Sequence, residues 1–492
     1  MKIFSFSPKR YKLFLTMKPQ TLFKIKCCFV ILSLVTINVA CSAQQSEKEG
    51  WDKLSAIMKK IVPPTFANKN YSILNYGAKG DGQTDCLPAI KNAIAACNKG
   101  GGGRVVIPAG TWFVKGPIHL LSNVNLHLEE NAVVKFSTDA DDYLPIVLTR
   151  FEGVELMNYS PLIYAYNQEN IAVTGKGTFD GQADNDHWWN WTGSKRFGWK
   201  DGMHAQHDPE NEPAMMAMAA KGTPVSERVF GKDHYMRPSF VEFYSCKNIL
   251  IQGVTITNAP FWLLHPTLSQ NITVDGVITN SLGPNNDGCD PESCSDVLIK
   301  NCSFTDGDDC IAIKSGRDED GRRVNVPSKN IIVKDCQMKD GHGGIVIGSE
   351  TSGGVENVYG QNCVMSSKNL ERAIRIKSNA CRGGVLKNFY FRNLKVGQVR
   401  EAVVKINMYY EKEKAVNCHY LPTLTGVYVS NVISQQSQYA IYIEGLSDKP
   451  ATDIYIHNCS FGNVAKENFI KDAKDLHVAN TLVNGKEVTI NE

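Results

Sequence analysis

Apolar and polar positions alternate in short runs, and the runs recur. Lys247-Asn248-Ile249-Leu250-Ile251, Gln270-Asn271-Ile272-Thr273-Val274, Ser295-Asp296-Val297-Leu298-Ile299 and Lys329-Asn330-Ile331-Ile332-Val333 follow one template. Glu356-Asn357-Val358-Tyr359, Lys387-Asn388-Phe389-Tyr390-Phe391, Thr425-Gly426-Val427-Tyr428-Val429 and Thr452-Asp453-Ile454-Tyr455-Ile456 continue it. A period of two marks a strand with one buried face. From Ile249 to Ile272 to Val297 the steps are 23 and 25 residues, a solenoid spacing. Later steps are longer, with the excess between strands. The pattern predicts an all-β chain: a parallel β-helix in which each turn of the coil adds one rung.

Four polar motifs fall on that register. They are Asn285-Asn286-Asp287, Gly307-Asp308-Asp309-Cys310, Gly341-His342-Gly343-Gly344 and Arg375-Ile376-Lys377. A lone Gly-Asp-Asp reads as a turn. Asp308 lies 11 residues after Val297, however, and His342 lies 11 after Ile331, so the two occupy equivalent places on successive rungs. Asp287 precedes Asp308 by 21 residues, about one turn, and Arg375 follows His342 by 33, a turn plus an insertion. With rungs roughly 4.8 Å apart, all six side chains should line one face. Carboxylates that close cannot all ionise freely, so at least one pKa should rise. One protonated acid beside ionised partners suits cleavage of a glycosidic bond. A rim of His342, Arg375 and Lys377 suits a substrate that carries carboxylates.

These motifs, in this order, resemble those of the polygalacturonases, glycoside hydrolase family 28, and the likeness runs from about Tyr71 onward. The resemblance implies a right-handed, single-stranded parallel β-helix and an inverting hydrolysis of α-1,4-galacturonosyl bonds in pectin. Asp308 resembles the general acid, Asp287 and Asp309 the pair that activates water, and His342 the residue supporting the acid. Arg375 and Lys377 resemble the residues that grip a galacturonate carboxylate. Asn285 and Arg237 are further candidate substrate contacts, and His265 reads equally as a sugar contact or a core histidine. Asn286 stands where the family carries Thr, which bears on the fit of the sugar.

The chain has 492 residues and a net charge of +3. A solenoid can use that length as one domain, and the scattered basic residues do not suggest nucleic acid. Residues 1–43 read as an export signal: Lys18, Lys24 and Lys26 precede an apolar run from Cys27 to Ala40. That run is too short to favour a membrane span. Met17 is an alternative start. Cys41 lies in a lipobox-like setting and is the candidate lipid anchor, with cleavage after Ala43 the alternative. Export to a bacterial periplasm, outer membrane or medium is expected. Residues 44–65 read as an entry segment with a helix over 51–61, and residues 66–492 as the catalytic β-helix.

Helical spacing from Asp85 to Cys97 predicts a cap on the open end of the coil. Gly100–Gly103 lacks the Gly-Lys-Ser/Thr of a phosphate loop. Of 15 cysteines, Cys302, Cys336, Cys363 and Cys459 share one column and read as small buried residues. No metal or cofactor spacing is present. Two insertions interrupt the rungs. One, about 182–237, carries four tryptophans, Trp188, Trp189, Trp191 and Trp199, and reads as a packed loop or a cleft wall. The other, Gly316–Ser328, reads as a charged solvated loop or a stop at one end of the groove. These additions favour an exo-acting enzyme on polygalacturonate or an oligogalacturonide, expected as a monomer. The alternatives are a rhamnogalacturonan or xylogalacturonan hydrolase, a β-helix lyase, or a non-catalytic glycan-binding protein.

Overall fold

The computed structural model of the chain describes residues 45–413, 415 and 418–491. The expected signal segment, with Cys41, lies outside them. Residues 45–58 are helical, an earlier start and stop than the 51–61 expected. From Asn70 onward the chain is the parallel β-helix that the alternating lines predict. Ile249, Ile272, Val297, Ile331, Val358, Phe389, Val427, Ile454 and Leu476 are partners in one unbroken parallel register, and every one is buried. The neighbouring outward column ends in a stack of Tyr359, Tyr390, Tyr428 and Tyr455, ring centres 5.0–5.3 Å apart. That is the rung spacing seen from outside.

The Asn or Asp at the second position of each line has a structural reason. Asn248, Asn271, Asp296, Asn330, Asn357, Asn388 and Asp453 all have φ between 55° and 64°, a left-handed turn that Asn and Asp tolerate best after glycine. Gly426 takes the same place in its line with φ 73°. Their side chains bond rung to rung. Asn357 Nδ2 donates to Asn330 Oδ1 at 3.1 Å, and Asn388 Nδ2 to Asn357 Oδ1 at 3.1 Å.

A second sheet carries the opposite wall of the coil. Ile118, Ile163, Val241, Leu264, Cys289, Ile311, Ile345, Ile374, Val404 and Ile441 form its inward column. The helix Leu87–Lys99 buries Leu87, Ile90, Ala93, Ile94 and Cys97 against the first rungs, as a cap should. Cys302, Cys336, Cys363 and Cys459 are buried thiols, each donating to the carbonyl two residues back at 3.1–3.4 Å. Their role is that of a small side chain closing a turn.

The second insertion is not a solvated loop. Asp318–Val324 is a helix, and Asp320 is buried with Arg228 Nη1 2.8 Å away. It is tied to the hairpin of Val147–Phe151 and Val154–Asn158, since Glu155 N donates to Asp320 Oδ2 at 2.8 Å. Disulfide Cys381–Cys418, which no spacing in the sequence signals, ties down the loop that carries Tyr410.

The turn ladder has a measurable worth. Asn357→Ala removes two side-chain bonds and puts a Cβ residue without local hydrogen bonding at φ 59°. Unfolding by denaturant should show a loss of roughly 2–3 kcal/mol, and Asn357→Gly should lose clearly less.

Candidate active site

Three columns on the outside of the second sheet supply the site. Successive backbone bonds place Asn286, Asp308 and His342 on equivalent rungs, with Asp308 N donating to Asn286 O at 3.2 Å and His342 N to Asp308 O at 3.0 Å. One residue further on, Asp287, Asp309 and Gly343 form the next column. A Cβ on Gly343 would stand 3.0 Å from Asp309 Oδ1, so glycine leaves room for the carboxylate and for Arg375. The strand Arg372–Lys377 then brings Arg375 and Lys377 in from the following rung.

The ion pairs are specific. His342 Nδ1 lies 2.8 Å from Asp308 Oδ1. Lys377 Nζ donates to Asp309 Oδ2 at 2.8 Å and Arg375 Nη1 to Oδ1 at 3.3 Å. Lys314 Nζ lies 3.2 Å from Glu350, 3.5 Å from Asp287 and 3.5 Å from Asp290, above the Trp262 ring at 4.5 Å. Oxygens of Asp287, Asp308 and Asp309 lie within 4.8 Å of one another. That set could hold a cation by distance, but His342, Lys314, Arg375 and Lys377 already balance it, and a divalent ion would meet their repulsion. The cleft, about 100 Å³, is lined by Glu152, Trp262, Lys314, Glu350 and Tyr410 beside Asp287 and Asp308. A larger hollow of about 410 Å³ at Asn407, Tyr409 and Glu444 holds none of the acids.

Protonation follows from these neighbours. Burial, with Asp290 and Asp308 alongside, pushes Asp287 well above the usual carboxylate range. Burial would raise Asp309 too, but Lys377 and Arg375 outweigh it and hold the group well below that range. The hydrogen bond with Asp308 raises His342 and lowers Asp308 against the effect of burial. By direction alone Asp287 is the carboxyl that holds a proton, but exposure runs the other way. Side-chain exposure is 45% for His342 and 19% for Asp308, against 5% for Asp287 and none for Asp309. Asp308 and His342 share a single hydrogen bond that is open to solvent. Asp287 and Asp309 lie deeper.

The model of the family described as glycosyl hydrolases family 28 matches residues 225–481, which include Asp287, Asp308, Asp309, Lys314, His342, Glu350, Arg375 and Lys377. The chain belongs to glycosyl hydrolases family 28. A second model, for rhamnogalacturonase A/epimerase and pectate lyase-like proteins, matches residues 71–141 at the capped end. A solved exopolygalacturonase from Thermotoga maritima is 45% identical, covering 90% of this chain and 98% of its own, with a TM-score of 0.86. A probable polygalacturonase of Vitis vinifera is 28% identical over 89% of this chain and 83% of its own length. An exo-poly-alpha-D-galacturonosidase of Dickeya chrysanthemi is 28% identical over 81% and 68%.

In this family 28 chain, Asp287, Asp308, Asp309, His342, Arg375 and Lys377 come together as the register predicts, and Asn285 lines the cleft with them. Of the two readings of His265 the structure shows the core one, and the expectation for Arg237 needs correction. His265 does occupy the outward column of Asp290 and Arg375, but it is fully buried, with Nε2 2.8 Å from Glu292 and Nδ1 3.6 Å from Glu242. The hairpin covers that part of the sheet: Thr149 donates to Glu242, and Arg150 lies 3.2 Å from Glu292. Arg237 is buried as well. It donates to the carbonyls of Pro260 and Pro284 and, at 2.7 Å, to Asn285 Oδ1, so it fixes the turn bearing Asn285 and does not meet a sugar. Asn286 likewise staples backbone, accepting from Ser281 Oγ and Gly283 N and donating to Ala259 and Phe261 carbonyls. Lys314 was missed. Period two from Ala312 places it outward beneath Asp287, and that signal was available. Glu152 and Glu350 sit in turns, for which alternation gives no signal.

The Asp308–His342 hydrogen bond predicts an alkaline limit for activity. His342 is raised, so the pair keeps its proton below that raised value and loses it as pH climbs through it. In His342→Gln, Asp308 must hold the proton alone at a carboxyl's lower pKa. The alkaline limb of kcat/KM should therefore move to lower pH, measured by initial rates across a pH series.

Proposed function

We propose that this chain is an exo-acting polygalacturonase that removes single galacturonate units from the non-reducing end of polygalacturonate. The observation that carries the reading is the asymmetry of the cleft. On the Asp287 side it is narrow and walled by Glu152, Lys314 and Glu350. On the His342 side a hollow of about 330 Å³ opens, lined by Arg196, Arg400 and Asn369 together with Asp306, Asp340 and Glu371, the last paired with Arg400. The wider side has the room a polymer needs. The sugar attacked by water belongs beside Asp287 and Asp309. The leaving chain belongs beside Asp308 and His342, which puts the chain's non-reducing end at the narrow side, beside Glu152.

In this scheme Asp308 gives its shared proton to the glycosidic oxygen, and His342 restores it. Asp309, ionised, draws the proton from water held with Asp287. Arg375 and Lys377, stacked over Tyr410 at 5.3 and 5.0 Å, keep Asp309 ionised and present positive charge to the sugar carboxylate. The three acids stand closer than the roughly 6.5–9.5 Å usual for inverting pairs. Direct attack by Asp309 is nevertheless blocked, because it is buried with both oxygens held. Water is the nucleophile, which favours inversion. The basic and apolar pattern of residues 18–43 supports an exported enzyme, processed at Cys41 or after Ala43.

Product analysis tests the reading. Polygalacturonate should yield galacturonate monomer from the first minutes, and NMR should show the β-anomer first. A ladder of oligomers would refute exo action, and an ultraviolet-absorbing product would indicate a lyase. Asp308→Asn should lower kcat by on the order of 10²–10⁴, read by reducing-sugar release.

A further inference from the structure

The hairpin tip that closes the cleft has an unusual residue. Phe151 pairs with Val154 across a two-residue turn, and both turn residues are left-handed: Glu152 has φ 45° and Gly153 φ 84°. Such turns favour Asn-Gly or Asp-Gly, and a long side chain at the first position is strained. The tip is also locked. Arg317 N donates to Gly153 O at 3.0 Å, and a Cβ on Gly153 would stand 2.8 Å from Arg317 N and 3.0 Å from Glu350 Cγ. Phe151 stacks on Phe261 at 4.7 Å behind it.

The side chain that accepts this strain is a carboxylate lining the same cleft as Asp287 and Asp308. Its Oε2 is held by Arg317 Nη1 at 2.7 Å. Among the described residues Oε1 has no such partner, which leaves an acceptor at the closed end. A chain interior presents no hydroxyl there, because O4 of each inner sugar is bonded to the next unit. Only a non-reducing end presents O4–H. We propose that Glu152 is a specificity-determining residue that reads the chain end by accepting a hydrogen bond from the terminal O4–H. This rests on the exo-acting reading above.

Arg317 keeps other carboxylates, Asp318 at 3.9 Å and Glu212 at 4.0 Å, so the wall does not hang on Glu152 alone. Glu152→Asn supplies the residue that the turn prefers and removes the reach. Its melting temperature should stay within a few degrees of the parent or rise. Its kcat/KM on trigalacturonate should fall on the order of 10- to 100-fold, the scale of a lost charged hydrogen bond. The decisive readout is discrimination. Trigalacturonate with a 4,5-unsaturated non-reducing end has no O4–H, so the parent should prefer the saturated substrate by a similar factor, and the variant should not. Glu152→Gly, which the left-handed turn tolerates without strain, removes the acceptor outright, should lose the same preference, and serves if the Asn variant fails to fold. An unchanged preference in either folded variant overturns the assignment of Glu152. A ladder of products from the parent overturns the exo reading instead.

Discussion

Parallel strands stacked at about 4.8 Å govern this molecule. Each outward side chain has its equivalent on the next rung as nearest neighbour, so like residues are forced into columns. Inside, that favours a continuous apolar stack, and Ile311, Ile345 and Ile374 show it. Outside, a column of carboxylates would repel itself apart unless cations from adjacent columns enter between them. Asp309 between Arg375 and Lys377, and Lys314 among Asp287, Asp290 and Glu350, are those entries.

That compensation divides labour among three chemically identical groups. Two cations hold Asp309 ionised. Lys314 is shared by three carboxylates, too thinly to offset the burial of Asp287, whose pKa rises. Asp308 has a histidine for a partner, so its proton is mobile where the others' are settled. The same spacing that stacks the rungs thereby sets three different environments: Asp309 is pushed down, Asp287 is pushed up, and Asp308 is tied to a histidine.

The sequence made the repeat legible because strand alternation and the left-handed Asn are local properties, visible without any tertiary contact. The acids were legible for the same reason, since their offsets from the strands are constant. What the register could not reveal is what lies on top of it. His265 has the right column, yet Val147–Asn158 folds across that column and buries it. Arg237 looked like a cation near the site, and its guanidinium ends on turn carbonyls. The charged stretch after Gly316 has the composition of a solvated loop, but Asp320 meets Arg228 from an insertion some 90 residues away. Such long-range pairings leave no periodic trace.

Specificity and chemistry therefore sit on different parts of the chain. The acids and bases belong to rungs whose positions are set by stacking, and they cannot shift without breaking the coil. The walls belong to turns: the hairpin tip at Glu152–Gly153, the helix Asp318–Val324, and the tryptophan-bearing insertion that supplies Arg196. A turn can lengthen with little effect on the stack beneath it. Glu152 lines the cleft from the hairpin tip, and Arg196 lines the neighbouring hollow from the long insertion. The outline of the groove can therefore change in these segments while the acids beneath keep their register.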